Sequence, residues 1–157
     1  MLERNIKSIV KEFENKIEIT TSQKDYIHLD SLIMYEISLT CIFSLDLILE
    51  GIIINKMDGS KGDICHNATQ SLKVLIGEKI GPGFTKKIYN AVKKNSCMHY
   101  SLLLQITASM AYRMLSARVH REKGHEVFLN YNQQLFKNKC VGYSVQDLQY
   151  IEAKSLN

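Results

Sequence analysis

The chain has 157 residues, 45% of them hydrophobic and 23% charged, with eight glycines and one proline. That length suffices to bury about two-thirds of the unfolded surface in one core without disulfides or metals, and the composition excludes disordered and fibrous classes. The formal net charge of +4 hides an asymmetry: residues 1–63 hold seven Lys/Arg against eleven Asp/Glu, and residues 64–157 hold thirteen against five. The basic half is suited to steering polyanions such as nucleic acid toward itself, and equally to docking on the acidic half.

In chain order, residues 2–18 place Leu2, Ile6, Ile9, Val10, Phe13 and Ile17 at three- and four-residue spacings, the pattern of an amphipathic helix. Charges break its apolar runs, so it lacks the apolar core of a secretory signal, and the expected address is the cytosol. Ser22 with Asp25 three residues later reads as a capping box opening a second helix over about 23–54. Within it, Glu36, Asp46 and Glu50 interrupt a long apolar run, and the cost of burying carboxylates in hydrocarbon argues against membrane insertion. At 100° per residue they make one acidic stripe on an otherwise apolar rod.

The composition shift at NKMDGSKGD (55–63) marks a loop, with Asp63 as cap of a helix running to Ile76 and turning Ile64, Ala68, Leu72, Leu75 and Ile76 inward. The stretch KIGPGFTKKI (79–88) then breaks the chain at Gly81-Pro82-Gly83. It resembles the turn of helix-hairpin-helix modules, in which backbone N–H groups and a helix N-terminus meet a phosphate. The next helix puts Phe84, Ile88, Ala91 and Val92 inside and Lys86, Lys87, Lys93 and Lys94 outside. A long helix over about 98–123 carries one polar stripe, Gln105, Ser109, Arg113, Ser116, His120 and Lys123, on an otherwise apolar surface, and ends before Gly124.

No segment reads as the sustained alternation of a half-buried strand, so the expected fold is all-α. It is a single-domain bundle (1–157) of five to six helices with two long, largely buried central helices.

Three of the four arginines and two of the five histidines fall within residues 112–128. Arg113 and His120 share the polar stripe, and an arginine beside a histidine is the minimum equipment for metal-independent phosphodiester cleavage. The spacings Arg113-x6-His120 and Arg118-x6-His125 resemble those of the HEPN superfamily, small helical domains whose ribonuclease members carry Arg, four to six residues, then His. The resemblance implies RNA cleavage by Arg113 and His120 at a homodimer interface.

Cys41, Cys65, Cys97 and Cys140 form no C-x-x-C pair and read as reduced, mostly buried thiols. His66 beside Cys65 and His99 near Cys97 lack zinc-site spacing, and no nucleotide or hydrolase fingerprint is present, so no metal and no cofactor is expected. The leading expectation is a non-catalytic helical protein that binds nucleic acid, RNA included, or an acidic protein surface through Lys86, Lys87, Lys93, Lys94, Arg113 and Arg118. The alternatives are the HEPN-like ribonuclease and a bundle that holds a small apolar ligand.

Overall fold

Residues 37–43, Ile-Ser-Leu-Thr-Cys-Ile-Phe, put an apolar side chain at every second position, and in the structure they form a strand with Ile37, Leu39, Cys41 and Phe43 fully buried. The structure is a computed structural model that describes residues 2–27, 32–58, 69–92 and 97–136. Its first half is strand. β1 (Leu2–Glu12), β2 (Lys16–Ile27), β3 (Leu32–Ser44) and β4 (Leu49–Asp58) form one antiparallel sheet in the order β1-β2-β3-β4. A 3-10 turn (Gln70–Leu75), α1 (Phe84–Val92), α2 (Met98–Lys123) and α3 (His125–Phe136) follow.

The all-α helical bundle is therefore corrected to a mixed α/β fold, and the two expected N-terminal helices are the four strands. The helix-like spacing of β1 has a simple origin. Leu2, Ile6 and Val10 lie on one face of an edge strand, Ile9 lies on the other, and Phe13 stands in the turn that follows. Merging two faces of period two imitates a period near 3.6. Ser22 and Asp25, expected to cap a helix, sit inside β2, and Asp25 instead binds Arg4 across the β1–β2 pair. The acidic stripe also dissolves. Glu36 pairs with Lys24 on the sheet, Asp46 is exposed in the β3–β4 turn, and Glu50 is the extra residue of a bulge opposite Ile42 and Phe43. Asp63, Ile64 and Ala68 lie outside the described residues.

Register divides the sheet into two faces. Ile17, Ile19, Thr21, Gln23 and Asp25 of β2 lie opposite Phe43, Cys41, Leu39, Ile37 and Tyr35 of β3, and all but Tyr35 are buried. The other face, with Lys16, Glu18, Thr20 and Ser22 opposite Ser44, Ile42, Thr40 and Ser38, is half-buried and polar. Thr20 and Thr40 share a hydrogen bond there at 2.7 Å.

The chain divides into two compact units, 1–112 and 113–157, with the boundary inside α2. In the first unit the buried side chains Tyr100, Leu103, Leu104, Thr107, Ala108 and Ala111 make the inward face of α2. Thr107 Oγ1 shares a hydrogen bond with Thr21 Oγ1 at 2.7 Å, which sets the helix on the buried face of the sheet. Residues 77–80 run beside the start of β4, with Leu49 N–H donating to Glu78 O and Ile80 N–H to Leu47 O. Tyr112 Oη donates to Ile80 O at 2.8 Å and ties α2 to this segment.

The later helices follow the sequence reading more closely. α1 buries Phe84, Ile88 and Val92, and α2 spans the expected 98–123. Of the expected 63–76 helix, 70–75 form a 3-10 turn with Leu72 and Leu75 buried, and Ile76 is exposed. Gly124, at φ 84°, separates α2 from α3. No helix among the described residues is long and apolar enough to cross a membrane.

Phe43→Ala, on the buried face, lowers the unfolding free energy by about 3–5 kcal/mol. Ile53→Ala, on the polar face, costs under about 1 kcal/mol. Urea denaturation measures both, and equal losses would contradict the assignment.

Candidate functional site

The buried face of β2 changes character along its length. Ile17 and Ile19 are apolar, but Thr21, Gln23 and Asp25 carry the same row to its end, and all five are buried. A buried carboxylate needs donors, and β1 supplies them. Arg4, opposite Asp25, donates from Nε to Oδ1 at 2.9 Å and from Nη2 to Oδ2 at 2.8 Å, a bidentate pair. Gln23 Nε2 lies 3.2 and 3.3 Å from the same two oxygens. Because its amide N–H must face Asp25, Gln23 Oε1 is left fully buried with no hydrogen bond among the described residues. An unmet buried acceptor costs about 1–3 kcal/mol.

The N-terminus of α2 meets this end of the sheet. Tyr35 of β3 places its ring 4.6 Å from the His99 ring and its hydroxyl 3.6 Å from Cys97 Sγ. Cys97 Sγ in turn lies 3.4 Å from His99 Nδ1. Cys97 is half-buried and His99 exposed, so the thiol and its imidazole are open to solvent. Asp25 has its carboxyl held below the ordinary carboxylate range, first by the Arg4 hydrogen bonds against the opposing effect of burial, then by the charge of Arg4, by Gln23 and by the charge of His99. Cys41 is the counterexample within the same chain: fully buried, its thiol is pushed far up by desolvation, as befits an inert core residue.

The sequence-predicted residues do not assemble here. Lys86 and Lys87 are exposed on α1, and Lys87 forms an ion pair with Glu78. Lys93 and Lys94 lie outside the described residues, as do Cys65, His66 and Cys140. Gly81-Pro82-Gly83 follows the extended segment 77–80 rather than a helix, so the helix-hairpin-helix setting is absent. Arg113 and Arg118 belong to the second unit, and Arg118 pairs with Glu122 at 2.7 Å.

The polar stripe of α2 also divides. Arg113 and His120 are exposed, but Ser116 between them is buried and donates to Asn132 of α3. Arg113 and His120 stand two helical turns apart, about 10 Å along the axis. The His120 ring meets the edges of His125 and Phe128 at 5.6 and 5.1 Å. The all-helical scaffold implied by the HEPN resemblance is not the one observed.

Sequence reasoning met Cys97 and His99 only as poor metal ligands. Among the described residues, no group of three or more His, Cys, Asp or Glu is placed to hold a metal. The available signal was Cys-x-His at the mouth of a helix. Arg4, Gln23 and Asp25 could join it only once the β1–β2 hairpin was recognised.

Compared with known protein families, curated proteins and solved structures, the chain matches none.

The depressed Asp25 carboxyl sets a pH dependence. Its contribution to stability is complete above the unfolded value of about 3.9 and is lost as pH falls through the lower folded value. Asp25→Asn is expected to lower stability near pH 7 by about 1.5–3 kcal/mol, the scale of a charge-assisted hydrogen bond, and to flatten the decline below pH 4. Urea midpoints from pH 2.5 to 7 test this, and an unchanged acid limb would contradict the assigned role of Asp25.

Proposed function

We propose that the protein acts through Cys97 as a nucleophile toward acyl-type electrophiles, with His99 as its base. The observation that carries this reading is the 3.4 Å approach of Cys97 Sγ to His99 Nδ1 at a solvent-open helix N-terminus. A thiol attacks as its thiolate, and an imidazole within hydrogen-bond reach is the group suited to remove the proton at cellular pH.

In the first step His99 Nδ1 takes the thiol proton as Sγ bonds to the carbonyl carbon. The leaving group then departs with the proton from His99. Water, deprotonated by the same imidazole, next attacks the thioester, and the acid leaves as the thiol is restored. A helix leaves its first N–H groups without intrahelical partners, so the start of α2 offers donors for the oxyanion of each tetrahedral intermediate. Tyr35 is a positioning residue, holding the imidazole against its ring and the thiol against its hydroxyl. Asp25, held by Arg4 and Gln23, lies opposite Tyr35 in the β2–β3 pair and so helps to fix the strand position from which Tyr35 acts.

Iodoacetamide labelling followed by peptide mass analysis at pH 7 tests the thiol. Cys97 is expected to react at least about ten times faster than Cys41, and His99→Ala to slow Cys97 severalfold while the circular dichroism spectrum stays unchanged. With 4-nitrophenyl acetate, acetyl should accumulate on Cys97. Labelling of Cys97 that is indifferent to His99→Ala, or the absence of acetyl on Cys97, overturns the proposal.

A second reading is favoured by the segment 69–92, which holds four lysines against one glutamate and exposes Tyr89 beside Lys86. Here the protein engages a polyanion such as RNA, with lysines on phosphates and Tyr89 offering a stacking face. Affinity for single-stranded RNA should then fall with salt at a log–log slope of several units and weaken in Lys86→Ala/Tyr89→Ala. Binding that is absent at low salt, or insensitive to salt, removes this reading.

A further inference from the structure

The two edges of the sheet are finished differently. The start of β4 is covered by residues 77–80, through the Ile48–Lys79 bridge and the hydrogen bonds of Leu49, Gly77 and Ile80. β1, eleven residues long, has β2 as its only neighbouring strand among the described residues. It also carries a concentration of exposed apolar side chains: Leu2 at 64%, Ile6 at 40% and Ile9 at 48%, with Phe13 at 42% in the turn that follows. A long edge strand that exposes apolar side chains can be a template for another strand, and an edge with no further strand among the described residues offers a route to strand addition.

We propose that β1 pairs antiparallel with β1 of a second copy of this chain, with the two-fold axis at Ser8, joining two sheets into one of eight strands. The sequence of β1 selects this register. Directly opposed residues in an antiparallel pair share a face, and a two-fold axis normal to the sheet must pass beside one residue and its own copy. With the axis at Ser8, Arg4 faces the partner's Glu12, Ile6 faces the partner's Val10, and Ser8 faces the partner's Ser8. On the opposite side Lys7 faces the partner's Ile9, and Asn5 the partner's Lys11. Opposite charges meet at both ends, apolar side chains meet between them, and no like charges meet.

The neighbouring registers lack this combination. With the axis at Lys7, that lysine meets its own copy. With the axis at Ile9, Lys7 meets the partner's Lys11. With the axis at Ile6, like charges stay apart but no opposite charges meet. The pairing stands on the edge strand alone and is independent of the chemistry assigned to Cys97.

Sedimentation equilibrium of the full chain at tens of micromolar is expected to give a dimer. Val10→Lys, which sets a lysine opposite the partner's Ile6, should weaken association at least tenfold while leaving the circular dichroism spectrum unchanged. Register is read by oxidative cross-linking. Ser8→Cys should form a dimer across the axis much faster than the wild type or Asn5→Cys, whose two sulfurs would stand about 20 Å apart at 3.3 Å per residue. A monomer under these conditions overturns the proposal, as does a dimer unaffected by Val10→Lys or one in which Ser8→Cys links no faster than Asn5→Cys.

Discussion

A polar group taken out of water must be hydrogen-bonded, and β2 turns three of them inward. Thr21, Gln23 and Asp25 continue a row that begins with Ile17 and Ile19, so the sheet has an apolar end and a polar end under one helix layer. At the apolar end, packing needs only complementary volume. At the polar end each contact is specified: Thr107 must reach Thr21, Ser8 must lie beside Thr21, and Arg4 must lie opposite Asp25. These requirements fix the register of β1 and the height of α2 on the sheet. The thiol and imidazole at the start of α2 are brought to the polar end as a consequence of that alignment.

How much of this was legible depended on which physical signal dominated each segment. α1 and α2 could be read because their apolar positions recur at helical spacing and because Gly81-Pro82-Gly83 and Gly124 punctuate them. The strands were hidden by two effects. β1 is an edge strand whose apolar residues occupy both faces, so their spacing mimics a helix. In β2 the inward row turns from isoleucine to threonine, glutamine and aspartate, and a search for apolar alternation stops at Ile19. β3 did carry the signal from Ile37 to Phe43, with Ile42 on the other face blurring it. The enrichment of residues 17–54 in isoleucine and threonine, which favour a pleated, half-buried surface, was the better guide there.

The same distinction hides the candidate site from a reading of the sequence. Arg113 and His120 share a helical phase, a property of one element. Cys97 and His99 gain their meaning from Tyr35, some sixty residues earlier in the chain, and from the Arg4–Asp25 pair, which exists only because β1 and β2 fold back on each other. Reading those contacts requires the pairing of strands, which sequence spacing within one element does not encode.

Leu47 gives the fold a further property. It adopts φ 63° in the β3–β4 turn, a left-handed conformation that costs a residue other than glycine about 1–2 kcal/mol. Its side chain is buried, its N–H donates to Ser44 O, and its carbonyl accepts from Ile80 N–H. The compensation is therefore partly non-local, since Ile80 lies on the segment that leads into α1. Until that segment docks, the turn closing the sheet bears its conformational cost with fewer contacts in return. The β3–β4 hairpin and residues 77–80 should consequently form as one cooperative unit, with hydrogen-exchange protection of β3 and β4 rising together with that of residues 77–80 rather than ahead of it.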